Sequence, residues 1–289
     1  MEHEAIYYIR EAIAQLERPA LLFSGGKDSI VLALLCHKAF HGMPCPLLHI
    51  DTGHNFPETL DFRDRFAKAL GADLLVARVE DSMRQGTVQE EPGPRPSRNA
   101  AQSTTLKEAI VRYRLNGLLG GGRRDEEKAR AKERFFSHRD QHGQWKPKEQ
   151  RPEFWNLVNA EHHPGEHFRI FPLSNWTELD VWRYIRQQSI QLPSLYFAHK
   201  RRVIHNVQGG WLAESTWTPA LPGEEVVEKM VRFRTVGDLT CTLAWPSEAD
   251  TVDKVIEEIQ SSSLSERGGR ADDQRSQAAM EDRKRLGYF

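Results

Sequence analysis

The sequence predicts an α/β protein: a doubly wound parallel sheet with an appended C-terminal segment. Apolar runs of strand length alternate with amphipathic stretches of helical length, the first run ends in a Gly-rich turn that opens onto a helix, and a later strand ends in a second glycine run. In chain order, the polar start Met1-Glu2-His3-Glu4 leads into Ile6, Ile9, Ile13 and Leu16 at helical spacing, which is not the pattern of a signal peptide. Ala20-Leu21-Leu22 reads as a strand and Phe23 to Ser29 as the turn after it, while Ile30 to Phe40, apolar nearly all round, suits a helix packed on a sheet. Pro46 to Ile50 reads as a short buried strand ending at Asp51-Thr52-Gly53. A helix carrying Phe62, Phe66, Ala69 and Leu70 on one face follows, then a strand from Leu74 to Val79. Gly86 to Thr105, rich in Pro, Gly, Arg and Ser, reads as a long loop of the kind that carries function. A helix from Leu106 to Arg114 and a strand at Leu118-Leu119 precede Gly120-Gly121-Gly122. Beyond Phe168 to Leu173, Thr177-Glu178-Leu179-Asp180 has the form of an N-cap with an acidic first turn, heading a helix with Val181, Trp182 and Ile185 inward. From Ser261 onward the chain is polar and charged. Residues 1–190 are expected to form the α/β domain and 191–289 a C-terminal extension.

Composition narrows the partners. Forty Lys and Arg against 41 Asp and Glu leave no global field to draw the chain to nucleic acid or an anionic membrane, so any basic chemistry is local. No apolar run reaches membrane-spanning length, and Cys36, Cys45 and Cys241 form neither a close pair nor an even set, as expected in a reducing cytoplasm.

The turn Ser24-Gly25-Gly26-Lys27-Asp28-Ser29 points to phosphate. A strand, a glycine turn and a helix in immediate succession aim backbone N–H groups and the positive helix end at one spot. Gly25 and Gly26 permit backbone angles a Cβ forbids, Lys27 adds charge, and Ser24 and Ser29 add hydroxyls. The Walker spacing G-x-x-x-x-G-K-[ST] occurs neither here nor elsewhere in the chain. Asp51 and Thr52, at the end of the next strand, would lie at the same edge of the sheet.

Gly120 to Arg134 is the second signal. Arg123 and Arg124 directly follow three glycines at a strand end, where planar guanidinium groups can grip an oxyanion through paired donors. From Asp125 onward a helix would interleave Glu126 with Arg130 and Lys128 with Lys132, which is the pattern of a solvated face with weak i,i+4 pairs. Absence of interleaved aromatics argues against nucleic acid as the partner.

The Ser24–Ser29 turn resembles the PP-loop of the adenine nucleotide α-hydrolase-like enzymes. Further stretches are GGGRRDEEKARAKER from Gly120, Pro92-Gly93-Pro94 with Ser97-Arg98-Asn99 and Gln102, Gln150-Arg151-Pro152-Glu153, Phe171 to Glu178, Arg232-Phe233-Arg234-Thr235 and the tail Glu281 to Phe289. Together they resemble the small catalytic subunits of bacterial sulfate adenylyltransferases over nearly the whole chain. The resemblance implies ATP and sulfate as substrates, adenylyl sulfate and pyrophosphate as products, and a partner large subunit that hydrolyses GTP to drive an uphill reaction. It further implies that Ser24, Gly25, Gly26, Lys27 and Ser29 hold the β and γ phosphates. Asp28 would cap the helix or meet Mg²⁺, Asp51 and Thr52 serve the nucleoside or metal, and Arg123 and Arg124 with Arg98 hold sulfate. Competing readings are a thiol-dependent adenylyl sulfate reductase and an ATP-binding subunit without turnover.

Other eye-catching residues have plainer readings. Pro164 and Gly165 interrupt any helix that would align His162, His163 and His167 as metal ligands. Trp176 and Trp182 flank a helix cap and read as packing residues, and Cys241 lies in an apolar stretch, away from the sequence context of a reductase nucleophile. Val207 to Trp211 and Leu243 to Ser247 depart from the small-subunit pattern and bear on partner contacts or substrate choice.

Overall fold

The computed structural model describes residues 1–126, 130–131, 133–205 and 210–261. Helix α1 (Glu2–Gln15) buries Ala5, Tyr8, Ile9 and Ala12, an i, i+3, i+4, i+7 stripe. The alternation continues through β1 (Pro19–Leu22), α2 (Lys27–Phe40), β2 (Leu47–Asp51), α3 (Pro57–Ala69) and β3 (Leu74–Arg78). These strands pair in parallel, and β4 (Gly117–Leu119) returns to the other side of β1. Beyond β4 lie β6 (His167–Ile170) and then β5 (Phe136–Arg139), so the strand order is β3-β2-β1-β4-β6-β5. The chain leaves β1 in one direction and comes back on the other, which opens a crevice beyond the carboxyl ends of β1 and β4.

Side chains alternate between two covered faces of the sheet, as a two-residue pleat requires. Leu21, Leu47 and Leu119 face the cluster that includes α1, α2 and α6 (Glu178–Gln187). Ala20, Leu48 and Leu118 face α5 (Ala101–Tyr113) on the opposite side. The sheet is therefore doubly wound, with one departure from the expected all-parallel form: β5 runs antiparallel to β6. Phe136-Ser137-His138-Arg139 mixes polar and apolar residues over only four positions, too short a signal to read as a strand.

Several boundaries move. β3 stops at Arg78 because Val79 already belongs to α4 (Val79–Arg84), and α5 begins at Ala101, five residues before the periodicity suggested. Gln102, Ser103 and Thr104 made that first turn look like loop. Thr177 caps α6 as expected: its Oγ1 accepts the Asp180 N–H at 3.1 Å while its own N–H donates to the Asp180 carboxylate at 2.9 Å.

After residue 190 the chain forms strands that periodicity did not reveal. β7 (His199–His205), β8 (Trp211–Ala213), β9 (Val226–Phe233) and β10 (Leu243–Pro246) close an antiparallel barrel in the order β10-β8-β7-β9. A small barrel buries one face and solvates the other, so β7 reads His-Lys-Arg-Arg-Val-Ile-His and its charges conceal it. Val203, Ala213, Val231, Phe233 and Ala244 join the same buried cluster as α1 and α2, and so do Val255 and Ile256 of α7 (Val252–Ser261), which packs on α6. Of the two departures noted above, Val207 to Gly209 lie outside the described residues. Gly210, Trp211, Leu243 and Ala244 lie together: Ala244 pairs with Trp211, and a Cβ on Gly210 would fall 2.6 Å from Leu243 Cδ1, while Trp245 and Pro246 pair with Arg232 and Val231 of β9.

Trp182 is fully buried, with its ring edge-on to Tyr196 at 5.7 Å, and it joins α6 to the turn that meets the start of α2. Trp182→Ala should cost about 3 to 5 kcal/mol of unfolding free energy, read from urea denaturation. A loss below about 1 kcal/mol would show that the site collapses without penalty.

Candidate active site

β1 hands over to α2 through a turn in which Gly25 is sterically required, whereas Gly26, at φ −78° and ψ 155°, adopts angles open to any residue. Gly25 has φ +75°, and a Cβ there would lie 2.7 Å from Thr59 Cγ2. The Gly26 N–H donates to Ser24 Oγ at 3.2 Å, Ser29 Oγ donates to the Gly26 carbonyl at 2.8 Å, and the Lys27 N–H donates to the Tyr196 phenol at 2.8 Å. The helix start is thus held from both sides, with its positive end at the crevice.

From there an alternating chain of charges runs along the crevice. Lys27 is fully buried with Nζ 3.1 Å from Asp28 Oδ2, and the other Asp28 oxygen receives the Arg123 guanidinium. The Arg123 guanidinium is also 3.7 Å from Glu126 Oε1, and Glu126 Oε2 lies 3.4 Å from Arg130 Nε. The expected Glu126–Arg130 pair does form. It is not a solvated face, because Arg130 is only 4% exposed. Residues 124–126 form a single 3-10 turn, and Lys128 and Lys132 lie outside the described residues.

The second glycine run makes this proximity possible. A Cβ on Gly121 would stand 2.9 Å from Asp28 Cβ and 3.1 Å from the Ser29 nitrogen, and one on Gly122 would overlap Arg130 Nη1. Glycine at 121 lets the end of β4 meet the start of α2, and glycine at 122 lets a guanidinium lie against the backbone.

These elements border a cleft of about 260 Å³. Its β1–β2 side is apolar, with Leu22, Leu48 and Ile50 faced by Leu106, Asn99 and Gln102 from α5 and the loop before it. Its β4–β6 side is polar, with Ser24, Asp28, Ser29, Glu126, Arg130 and Arg169 around Gly120 to Gly122. The connection from β9 to β10 closes it from above with Gly237, Asp238, Cys241 and Thr242. That connection is pinned to the end of β2, where Thr52 Oγ1 donates to Asp238 Oδ1 at 2.7 Å and the Leu239 N–H donates to the His54 carbonyl at 2.9 Å.

The model of the phosphoadenosine phosphosulfate reductase domain family matches residues 18–244. Sulfate adenylyltransferase subunit 2 of Streptomyces lavendulae is 54% identical to this chain, covering 100% of it and 91% of that protein. The chain belongs to the sulfate adenylyltransferase subunit 2 family. The subunit 2 protein of Mycobacterium tuberculosis (strain ATCC 25618 / H37Rv) is likewise 54% identical, over 100% of this chain and 93% of its own length. Among solved structures, an FMN adenylyltransferase from Candida glabrata in complex with ATP is similar at TM-score 0.47 and 13% identity, covering 93% of this chain and 87% of that one.

In this member of the subunit 2 family the sequence candidates occupy distinct places. Ser24, Asp28 and Ser29 line the cleft; Gly25, Gly26 and Lys27 form the turn beneath them, and Arg123 lies buried behind Asp28. Asp51 and Thr52 build the wall at the end of β2: Asp51 Oδ1 accepts the Gly53 N–H at 2.9 Å, and the Thr52 N–H donates to Asn55 Oδ1 at 3.1 Å. Arg98 straps the loop before α5 to that wall, donating to the Thr52 carbonyl at 2.7 Å and pairing with Glu90. Arg124 lies over the Phe135 ring at 4.9 Å and donates to Asn175 and, at 3.1 Å, to the Glu133 carbonyl. Neither Arg98 nor Arg124 borders the cleft. Sequence reasoning missed Arg169, whose signal was a lone arginine inside the apolar run Phe168 to Phe171. It weighed a solvated face for part of the segment that holds Arg130, gave Arg130 no role in the site, and did not weigh Asp238. Trp176 and Trp182 are buried packing residues, as read, and Cys241 is buried too, although it also borders the cleft.

Two histidines beside the cleft resist protonation. Burial pulls His49 and His54 down to about 4, the Arg63 and Arg98 guanidinium groups adding to the effect. Unfolded, they would take up protons near their ordinary value of about 6.5. Their contribution to stability is therefore complete above about pH 6.5, falls as pH drops toward about 4, and levels off below. Urea midpoints across this range should show that slope, and a His49→Gln, His54→Gln double variant should flatten it; an unchanged slope would assign the acid loss to other groups.

Proposed function

We infer that this chain is the catalytic subunit of a sulfate adenylyltransferase, moving the adenylyl group of ATP onto sulfate with release of pyrophosphate. The carrying observation is the cleft at the β1–β4 switch point, where the positive end of α2, the Ser24 and Ser29 hydroxyls and buried arginines converge in a chain of the subunit 2 family. Leu48, Ile50 and Leu106 offer the base an apolar slot with Asn99 and Gln102 at its edge. The turn from Ser24 to Ser29 holds the β and γ phosphates. A sulfate oxygen attacks the α phosphorus, and the bond from that phosphorus to the bridging oxygen breaks with its electron pair leaving on pyrophosphate. Nucleophile and leaving group are both already anions, so no general base is needed. Charge neutralisation and in-line placement carry the step.

Lys27 and Arg123 each serve this end of the cleft by keeping Asp28 neutralised, so that α2 presents net positive potential to phosphate. With both Asp28 oxygens occupied in this way, Mg²⁺ travels on the triphosphate and is not held by Asp28. We further infer that the partner implied by a subunit 2 is a GTPase: the product anhydride is high in energy, and this chain contains no Walker spacing of its own. The charged tail from residue 262, within the segment 191–289, is a natural contact for it. No helix among the described residues is long and apolar enough to cross a membrane, which fits action in the cytoplasm.

ATP- and sulfate-dependent pyrophosphate release, measured with and without the GTPase subunit, tests the reading. Lys27→Ala should lower kcat/KM by about 100-fold or more, with melting followed in parallel because Lys27 is buried; a variant that melts and turns over like the wild type would remove the phosphate-loop assignment. A thiol mechanism is the second reading, since Cys241 borders the cleft while burial pushes the Cys45 thiol up to about 12 and Cys36 well above its usual value. Cys241→Ser should keep at least about half of wild-type turnover, whereas abolished turnover in a well-folded variant would favour the thiol.

A further inference from the structure

We propose that Arg130 and Arg169 form the pocket that holds the attacking sulfate, on the adenylyltransferase reading given above. Both side chains border the cleft and both are buried, at 4% and 1% exposure. They arrive from separate elements: Arg169 from β6, where it pairs in register with Leu118 of β4, and Arg130 from the segment after the glycine run. The structure makes room for one of them at the expense of a side chain, because any Cβ on Gly122 would overlap the Arg130 guanidinium.

Position separates this pocket from the phosphate-holding end. Ser29 and Asp28 abut Gly121, while Arg130 abuts the next residue, Gly122, so the two charged groups border successive positions of one strip of backbone. In-line displacement needs the nucleophile and the leaving pyrophosphate on opposite sides of the α phosphorus. With pyrophosphate at the α2 end, the second anion would sit against the remaining cations of the cleft, Arg130 and Arg169.

Electrostatics point the same way. Burial and the neighbouring Arg139 pull Arg169 down to about 9, with Glu133 opposing them, so its charged form is held at a cost that an anion would relieve. Two planar guanidinium groups suit a tetrahedral oxyanion, which each can grip through paired N–H donors.

The test uses the full chain with its partner subunit for turnover and the full chain alone for binding. Arg130→Lys and Arg169→Lys keep charge and lose the planar fork. Each should raise the apparent KM for sulfate by about ten- to a hundredfold while the KM for ATP changes less than about threefold. Calorimetric titration of sulfate into the chain with α,β-methylene-ATP present should show the same loss. Gly122→Ala, which displaces Arg130 without altering any charge, should reproduce the sulfate effect and guards against a lysine variant that fails to fold. Equal losses for ATP and sulfate would give the arginines to the nucleotide, and unchanged sulfate affinity in variants that melt normally would remove them from the site; either outcome overturns the proposal. If wild type binds sulfate but releases no pyrophosphate, the activity reading falls, and the calorimetric comparison alone still decides the pocket.

Discussion

The pairing of Asp28 with Arg123 is the constraint on which the site depends. It joins the first turn of α2 to the turn after β4, two segments far apart in sequence that become neighbours only because β4 lies beside β1. An uncompensated carboxylate at the mouth of the proposed phosphate site would repel its ligand, and an unpaired guanidinium at 1% exposure would carry a heavy desolvation penalty. Each supplies the other's counter-charge, and Lys27 and Glu126 extend the series on either side. The carboxylate in the first turn of α2 is thereby neutralised.

Close approach makes the pairing geometrically possible. Gly121 removes the Cβ that would strike Asp28, and Gly122 removes the one that would strike Arg130, so two adjacent glycines serve two different contacts. Gly25 answers a backbone requirement instead, a positive φ against Thr59. The barrel then completes the enclosure. Its β9–β10 connection reaches the end of β2 through Asp238 and Leu239, so the C-terminal segment shares the site as well as the core. Arg234 bonded to Glu178 at 2.7 Å, and Arg232 to Glu258 at 2.6 Å, clamp the end of β9 to α6 and α7.

The arginines divide by what surrounds them. Arg124 and Arg98 act as struts: one lies over Phe135 and bonds Asn175, the other binds the Thr52 carbonyl and Glu90. Arg139 pairs with Glu133 at 2.9 Å and is fully covered. Arg130 and Arg169, both buried, border the cleft, whereas Arg98, Arg124 and Arg139 do not. A sequence reading that ranks arginines by proximity to glycines cannot make this distinction, because it turns on which way each side chain leaves the backbone.

By itself the sequence determined what local physics determines. Short apolar runs placed β1, β2 and β4, a stretch apolar nearly all round placed α2, a one-sided apolar stripe placed α3, the Thr177 N-cap placed α6, and the turn from Ser24 to Ser29 pointed to an anion site through its glycines and hydroxyls. Long motifs declared the family. Where pattern was weak, the reading failed for identifiable reasons: β5 is four residues long, β7 carries charge on its solvated face, and the first turn of α5 is polar because it borders the cleft. The tertiary structure alone decided that Glu126 and Arg130 pair in the interior, that Arg169 of a buried strand faces the cleft, and that Asp238, far from Thr52 in sequence, closes its wall. Burial and through-space charge belong to the packed chain, since strand order and side-chain direction set which charges meet, and no local window of sequence contains either.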